Sequence, residues 1–301
     1  MRRLLEILLG LPPEIAERGL VYLPSPYGDQ IGLIIHWGLY SIPAYDSVYS
    51  ARQRTLQNGS EWYAERLSKT TSFPYPTSGS PQTQQFHKMR FPQIASYYDF
   101  QAHWKPGDGD RLQWLQYANE WARLVRRIGG SSLVLTAKHH DGFALWPTTI
   151  RPERSVLQTP CPWDLLADVK EACRQWGVKF GIYYSWGEFA SGSTPPSTNA
   201  CMKHITPLQI RELQERYQPD LFWWDGDWWC SSSTAFAAIM REEVLRCKSK
   251  NPSLELNERM GRSNLDLATF RVFRDRTVMS NFSGGKWEHV NTIGNSWGYN
   301  R

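Results

Sequence analysis

Five short apolar runs along the chain each end in side chains that can carry out chemistry. The endings are His36-Trp37, Lys138-His139-His140-Asp141, Tyr183-Tyr184-Ser185, Trp223-Trp224-Asp225 and Asn257-Glu258-Arg259. Histidines, carboxylates and an arginine supply hydrogen-bond donors and acceptors, and several of them transfer protons. A structural protein has no reason to place such groups at every one of these ends, so the pattern favours an enzyme.

Asp225 is the first candidate for a reacting group. It follows four hydrophobic residues, 221–224, and is flanked by Trp224 and Gly226. A buried segment that delivers a carboxylate to its end requires a reason, and nucleophilic or acid–base catalysis supplies one. A helix N-cap or a turn aspartate is the structural alternative. Asp227, one step further out, is the nearby competitor.

The adjacent histidines raise the question of a metal site. On a strand, the side chains of His139 and His140 face opposite ways. The chain lacks the His-x-His and His-Glu-x-x-His spacings that place two imidazoles on one metal ion. We therefore expect no metal ion and no other cofactor.

The elements that position these groups alternate between apolar runs and segments with helical periodicity. Strands are predicted at 32–35, 131–137, 178–185, 220–224 and 254–257, with less certain ones after residue 270. Helices are predicted at 110–128, 163–176, 206–217 and 233–248. Apolar strands that alternate with helices indicate a parallel sheet covered by helices. The repetition favours a (β/α)-barrel, whose active site lies at the carboxyl ends of the strands, and no Gly-x-Gly-x-x-Gly fingerprint supports a dinucleotide fold.

Composition excludes several classes of function. The 301 residues include 34 lysines and arginines against 29 aspartates and glutamates, a net charge of +5, and 41% are hydrophobic, which is typical of a soluble globular protein. The charge is too diluted for a nucleic-acid-binding protein, and no apolar run approaches the ~18–20 residues of a membrane span. Aromatic residues reach 14%, with 15 tryptophans, which suits either a sugar-binding cleft or an aromatic core.

The N-terminus and the cysteines give weaker indications. Residues 1–25 are interpreted as an N-terminal helical extension rather than a signal peptide, because Glu6 interrupts the apolar stretch and no small-residue cleavage site follows. The five cysteines have no Cys-x-x-Cys spacing, so we expect buried thiols rather than a disulfide framework or a zinc site.

Several stretches of the chain together resemble glycoside hydrolase family 29, the alpha-L-fucosidases. They are GLIIHWGLYSIPAY (32–45), EWY (61–63), LTAKHHDGFALWP (135–147), VKFGIYYSW (178–186), PDLFWWDG (219–226), NERMG (257–261) and KWEHVNTIGNSWGYN (286–300). They follow the family's order over about residues 30–300, and the KHHDGF and HWG blocks are the specific ones. The resemblance implies an α/β fold, a (β/α)8-like (TIM) barrel.

The resemblance also implies a retaining mechanism with two carboxyl groups. In such enzymes one carboxylate attacks the anomeric carbon, and a second carboxylic acid protonates the leaving oxygen and later acts as base. Asp225 matches the family's nucleophile, at the end of its Trp-x-Asp strand, and Glu288, in Trp287-Glu288, matches the acid/base. An adjacent tryptophan would raise the pKa of the acid. Glu258 and Glu61 are the alternatives for this role, and a surface salt bridge is the structural alternative for Glu288.

The remaining family positions are those that contact the sugar. They are His36, Glu61, Trp62, His139, His140, Tyr183, Trp223 and Arg259. Polar side chains among them would bind the three ring hydroxyls of fucose, and Trp and Tyr faces would pack on the methyl group and the ring C–H bonds. Of the two adjacent tyrosines, Tyr183 is the one expected to face the site, and Lys138 is expected to be structural.

The C-terminal end departs from the family pattern. The chain stops at Arg301, just after the SWGYN block, where the family continues with the last barrel strands and commonly a β-sandwich domain. About six strands are recognisable, whereas a closed barrel needs eight. We therefore expect a single catalytic domain over 1–301, an incomplete barrel without a C-terminal β-sandwich, in a truncated chain.

Three functions follow as hypotheses. The first is a retaining exo-glycosidase that hydrolyses terminal alpha-L-fucose from fucosylated oligosaccharides or glycoconjugates. The second is an inactive or sugar-binding fucosidase relative, and the third is a glycosidase with a different sugar preference. No nucleic-acid partner and no membrane span are expected, and the resemblance suggests a lysosomal, periplasmic or secreted protein. Linkage preference and oligomeric state are not indicated by the sequence.

Overall fold

The computed structural model describes residues 31–46, 59–68, 80–189, 201, 203–229, 234–272, 274–277, 285–294 and 296–299. The predicted N-terminal helical extension, 1–25, lies outside the described residues.

A parallel sheet forms the centre of the fold. Its strands are β1 (Gly32–Ile35), β2 (Ser132–Lys138), β3 (Lys179–Ser185), β4 (Leu221–Asp225) and β5 (Glu255–Leu256). Each strand pairs in parallel with the next one along the chain, so the order in the sheet is the order in the sequence. This arrangement, with helices between successive strands, is that of a (β/α)-barrel.

Helices lie between the strands and begin and end where local chemistry predicts. The α-helices are α1 (Tyr63–Leu67), α2 (Pro81–Arg90), α3 (Arg111–Arg127), α4 (Leu165–Trp176), α5 (Thr206–Tyr217) and α6 (Thr234–Lys250). Asp110 caps α3 by accepting from the Leu112 N–H at 2.8 Å, and Asp164 caps α4 through the Ala167 N–H at 3.0 Å. Gly177 ends α4 with φ +62°. The four predicted helices are confirmed as α3 to α6, with ends within two residues.

Short 3-10 helices make up most of the remaining regular structure of the described residues. They are Leu39–Ser41, Ser60–Trp62, Tyr97–His103, Pro106–Gly109, Pro152–Arg154, Val156–Gln158, Asp227–Trp229 and Arg262–Leu267.

The two faces of the sheet carry different residues because side chains alternate along each strand. On β3 and β4, Phe180, Ile182, Phe222 and Trp224 pack on the helices in the main hydrophobic core. The opposite face contributes Val134, Tyr183, Leu221 and Trp223 to a second cluster, together with Val272 and Val290 from the C-terminal segment. This second, inner face carries Tyr183, Trp223 and Asp225 at its carboxyl end, and it therefore holds the candidate site.

The expected incomplete barrel of about six strands is represented by a sheet of five strands among the described residues. The described residues contain five strands, and β5 is only two residues long. After residue 270 the predicted strands reduce, in the described part, to an isolated pairing of Arg271 with Trp287, in which the Glu288 N–H donates to the Arg271 carbonyl at 2.8 Å. This pairing joins two stretches of the C-terminal segment, whose start is bonded to β5 by the Thr269 and Phe270 N–H groups, both of which donate to the Leu256 carbonyl.

Two further expectations concern the cysteines and membrane spans. The four cysteines of the described residues, 161, 173, 201 and 247, are buried free thiols, as predicted. In the part of the chain that the structure describes, no helix has the length and apolar character needed to cross a bilayer.

Candidate active site

The predicted site residues converge at the carboxyl ends of the strands. His36 follows β1, His139 and His140 follow β2, and Arg259 follows β5. Tyr183 lies on β3, while Trp223 and Asp225 lie on β4. Ring contacts and hydrogen bonds join all seven into one cluster.

Asp225 lies at the centre of this cluster and is 7% exposed. Its Oδ2 accepts from the Tyr183 hydroxyl at 2.6 Å, and its Oδ1 accepts from Arg259 Nη1 at 3.0 Å. His140 Nε2 lies 3.7 Å from Oδ2. Burial raises the pKa of the Asp225 carboxyl, but Arg259, His140 and the Tyr183 hydroxyl outweigh it, so the pKa is lowered. The site therefore holds an ionised, oriented carboxylate, as a nucleophile requires.

Arg259 is fixed by contacts on three sides. Its second terminal nitrogen donates to Asp275, and its guanidinium carbon lies 4.8 Å from the Trp223 ring centroid. Its backbone carbonyl accepts from Trp186 Nε1 at 3.1 Å. Sequence reasoning missed Asp275, which stands between two arginines in the sequence, so that no local signal indicates its pairing with Arg259.

The three histidines are buried and neutral. Burial lowers the pKa of His36 to about 3 and that of His140 to about 4, and it lowers the pKa of His139 well below its usual value. The buried Nδ1 atoms of His36 and His139 have no hydrogen-bond partner among the described residues. Because unsatisfied buried polar atoms are costly, these imidazoles are suited to exchange hydrogen bonds with the hydroxyl groups of a ligand.

Two hydroxyl side chains orient the histidines. The Ser185 hydroxyl donates to the Gly187 carbonyl at 2.6 Å, so His140 Nδ1, 2.6 Å from Ser185 Oγ, is the donor in their contact. Thr136 Oγ1 accepts from the Trp37 N–H at 2.9 Å and donates to the Trp37 carbonyl at 2.7 Å, which fixes the chain next to His36. Ser185 was named from the sequence only as part of the polar ending of β3 and not as a site residue, although alternation places it on the same face as Tyr183.

An aromatic stack forms one wall of the site. The Tyr183 ring lies nearly parallel to His139, with centroids 5.6 Å apart, and to Trp223, at 5.5 Å. Tyr184 points to the other face and donates to Gln209 Oε1 at 2.8 Å. The structure thus places Tyr183, rather than Tyr184, on the site side.

Glu288 joins the site through Trp223. Its Oε1 accepts from Trp223 Nε1 at 3.0 Å. Burial raises the pKa of the Glu288 carboxyl, partly offset by this hydrogen bond and by Arg259. The neighbour in sequence, Trp287, is 47% exposed, whereas Trp223 donates the hydrogen bond to the carboxyl group. A contribution of Trp287 to the raised pKa stays a prediction.

The other candidate carboxylates make hydrogen bonds to backbone groups. Both oxygens of Glu258 accept from the Val272 N–H, at 2.8 and 3.0 Å. Glu61 Oε2 accepts from the Gly298 N–H at 2.9 Å, and Asp227 accepts from the Gly261 N–H at 3.1 Å. The hydrogen-bond partners of these three carboxylates include backbone N–H groups, whereas Asp225 and Glu288 accept from the side chains of Tyr183, Arg259 and Trp223.

Trp62 and Lys138 lie at the edge of the cluster. The Trp62 ring is 5.8 Å from His140 and 4.9 Å from Phe189. Trp228, which follows β4, has its ring centroid 5.2 Å from that of His140. No pattern in the sequence marks Trp228 as a site residue. Lys138 is fully buried and forms an ion pair with Glu188 at 2.9 Å, which fits the structural role expected for it.

No grouping of three or more His, Cys, Asp or Glu side chains in the described part of the chain could hold a metal ion. The chemistry that the described cluster can support is that of a carboxylate of lowered pKa, Asp225, in the same site as carboxyl groups of raised pKa, of which Glu288 is linked to the cluster through Trp223.

Comparison with known proteins assigns this chain to a family. A sequence model described as alpha-L-fucosidase matches residues 21–301. Among curated proteins, an alpha-L-fucosidase of Dictyostelium discoideum is 28% identical, over 92% of this chain and 58% of its own length. A tissue alpha-L-fucosidase of Rattus norvegicus is also 28% identical, over 90% of this chain and 54% of its own. The chain thus spans about half the length of the curated relatives it matches.

Solved structures give the same result. An alpha-L-fucosynthase of Thermotoga maritima in complex with alpha-L-Fuc-(1-2)-beta-L-Fuc-N3 matches with a TM-score of 0.69 and 25% identity, over 90% of this chain and 60% of that one. The alpha-fucosidase of the same organism in complex with a mechanism-based inhibitor matches with a TM-score of 0.65 and 25% identity, over 90% and 59% of the two chains.

Proposed function

Because the chain belongs to the alpha-L-fucosidase family, we propose that it is a retaining exo-glycosidase that releases terminal alpha-L-fucose from oligosaccharides or glycoconjugates. The observation that carries the proposal is that the lowered pKa of Asp225 contrasts with raised pKa values of nearby carboxyl groups, those of Glu288, Glu61 and Asp227. Among the three, the family resemblance selects Glu288 as the acid. The pKa of Asp225 is lowered by Arg259 against the effect of burial, whereas that of Glu288 is raised by burial. Two carboxyl groups shifted apart in this way can act as nucleophile and acid.

In the proposed reaction, Asp225 attacks the anomeric carbon while Glu288 donates its proton to the departing oxygen. The resulting fucosyl ester on Asp225 is then hydrolysed by a water molecule that Glu288, now ionised, deprotonates. Tyr183 and Arg259 hold the two oxygens of Asp225 during both steps. The double displacement retains the configuration at the anomeric carbon.

In this proposal the neutral histidines and the faces of the aromatic side chains bind the sugar. His36 and His139 would exchange hydrogen bonds with ring hydroxyls through their buried nitrogens, with His140, Glu61 and Arg259 as further polar contacts. The Tyr183 and Trp223 rings, together with Trp62, would pack on C–H bonds. A sugar that lacks a hydroxyl at the correct position leaves one of these buried groups unpaired, and this is penalised.

Turnover of nitrophenyl glycosides tests the proposal directly. We expect the 301-residue chain to hydrolyse the alpha-L-fucoside with kcat/KM on the order of 100-fold or more above the corresponding galactoside and xyloside. Proton NMR of the first product should detect alpha-L-fucose before mutarotation. Binding of L-fucose without turnover would instead support the inactive, sugar-binding alternative, and preference for another glycoside would support the third hypothesis.

Replacement of Arg259 by methionine is expected to move the acid limb of the pH profile. Asp225 must be ionised to attack, so activity falls as the pH drops through its pKa. Since Arg259 lowers that pKa, Arg259→Met should raise it and shift the limb of kcat/KM to higher pH by about 1 unit or more. Arg259→Lys, which keeps the positive charge, is the control and should retain most of the original position. An unchanged limb in Arg259→Met would contradict the assignment.

A further inference from the structure

Two segments far apart in the chain meet beside the site. Ser60 and Glu61 lie in the turn before α1, and Ser296 lies 235 residues after Glu61. The Ser296 hydroxyl accepts from the Ser60 N–H at 2.8 Å and donates to Glu61 Oε2 at 3.0 Å. The same Glu61 oxygen accepts from the Gly298 N–H at 2.9 Å. The hydrogen bonds on both sides of residue 297 thus converge on one carboxylate oxygen.

This contact is buried and closely packed. Ser60, Glu61 and Ser296 are 0%, 2% and 6% exposed. A Cβ added at Gly298 would lie 2.6 Å from Ser60 Oγ and 2.8 Å from the Tyr40 ring, closer than real Cβ atoms come. Only glycine therefore lets the backbone approach at this position.

The residue held between these hydrogen bonds faces the candidate site. The Trp297 ring centroid lies 5.5 Å from that of His36, and the Arg276 guanidinium lies 5.2 Å from the same indole. His36 in turn contacts Tyr183 and His139, at 5.0 and 5.4 Å. A shift of Trp297 would therefore change the surroundings of His36.

We propose that Ser60, Glu61, Ser296 and Gly298 form a latch that seats Trp297 against His36, with Ser296 as its central positioning residue. Ser296 is the one side chain of the latch that bonds both Ser60 and Glu61. The latch secures the C-terminal segment. Among the described residues, the β-pairing of this segment is limited to the isolated Arg271–Trp287 bridge. The kinetic consequences of the latch rest on the proposed fucosidase function.

A pair of glycine substitutions in one segment tests the latch. Gly298→Ala forces a methyl group against Ser60 and Tyr40, whereas Gly294→Ala places the same group in open space. We expect Gly298→Ala to raise KM for a nitrophenyl fucoside about tenfold, and Gly294→Ala to leave it unchanged. KM does not depend on the fraction of molecules that are folded, so a merely structural loss would lower the apparent kcat alone.

A double-mutant cycle tests whether Ser296 acts through Trp297. Ser296→Ala should raise KM about tenfold, and it should add little to Trp297→Ala in the double variant. Ser155→Ala is the matched control, because Ser155 is also buried and its hydroxyl donates to the Pro152 carbonyl, which caps a different turn. Additive effects of Ser296→Ala and Trp297→Ala, or an unchanged KM in Gly298→Ala, would overturn the proposal.

Hydrogen exchange separates the latch from the proposed function. The backbone amides of 296–299 should exchange about tenfold faster in Ser296→Ala than in the wild-type chain, and not in Ser155→Ala. If the wild-type chain turned over no fucoside, the proposed function would fail, and this measurement would still decide the latch. Unchanged exchange in Ser296→Ala would refute it.

Discussion

Replacement of Asp225 by alanine is expected to lower kcat/KM for a nitrophenyl fucoside by about 10⁴-fold or more. The substitution removes the only carboxylate of the described residues that is held by both Tyr183 and Arg259 at the exit of β4. Without it no covalent intermediate forms on the chain, and water must attack an unactivated glycoside. Steady-state kinetics at the pH optimum of the wild-type chain measures the loss.

The role of Asp225 can be separated from its contribution to folding. The thermal unfolding transition and L-fucose binding of Asp225→Ala should remain measurable. Azide can enter the space left by the carboxylate and attack the anomeric carbon, so it should restore part of the turnover as a fucosyl azide of inverted configuration. Asp227→Ala is the control, since Asp227 bonds the Gly261 N–H, and it should lose less than about tenfold. Turnover of Asp225→Ala within tenfold of wild type would exclude it as the nucleophile.

The strands that carry the site could be predicted because their signal is local. Runs such as 221–224 are apolar on both faces, as buried parallel strands are. The carboxyl ends of such strands meet at one edge of the sheet, so the clustering of Tyr183, Asp225 and His140 followed from the fold class. Alternation along β3 means that only one of Tyr183 and Tyr184 can face the site. The choice of Tyr183 came from the resemblance, and the hydrogen bond from Tyr183 to Asp225 is consistent with it.

The remaining parts of the site depend on contacts between distant segments. The pairing of Arg259 with Asp275, and of Glu288 with Trp223, requires the segment after β5 to fold back across the sheet. Among the described residues, that segment has a single isolated β-bridge, a few other backbone hydrogen bonds and no strong periodicity, so its path was not readable from the sequence. For the same reason the hydrogen bond from Trp223 to Glu288 could not be read from the sequence, in which Trp287 is the tryptophan beside Glu288.

The position of Arg259 explains how one site can hold two carboxyl groups in different states. Its Nη1 contacts Asp225 directly, and Asp225 has the Tyr183 hydroxyl as a second donor. Glu288 instead accepts from the neutral Trp223 indole, which offsets burial only in part. The carboxyl group that stays ionised to lower pH is therefore Asp225, and the group that retains its proton to higher pH is Glu288.

Glu288→Gln is expected to separate substrates by their leaving groups. The amide can still accept from Trp223 but cannot donate a carboxylic proton, so kcat/KM for a fucosylated oligosaccharide should fall on the order of 10³-fold. A nitrophenyl fucoside needs little protonation, so its first step should change less than about tenfold. The second step lacks its base, and a burst of nitrophenol equal to the enzyme concentration should precede slow turnover.

The pH dependence and a matched variant complete this test. In the wild-type chain, activity should fall as the pH rises through the raised pKa of Glu288, and in Glu288→Gln this basic limb should be absent. Azide, which needs no base, should accelerate the second step. Glu258→Gln is the matched variant, because it alters a carboxylate that accepts from the Val272 N–H. Like the wild-type chain, it should show no burst of nitrophenol, and it should keep the basic limb of the pH profile. If Glu258→Gln rather than Glu288→Gln discriminated between leaving groups, the acid would be Glu258, and Trp223 would orient Glu288 for a different purpose.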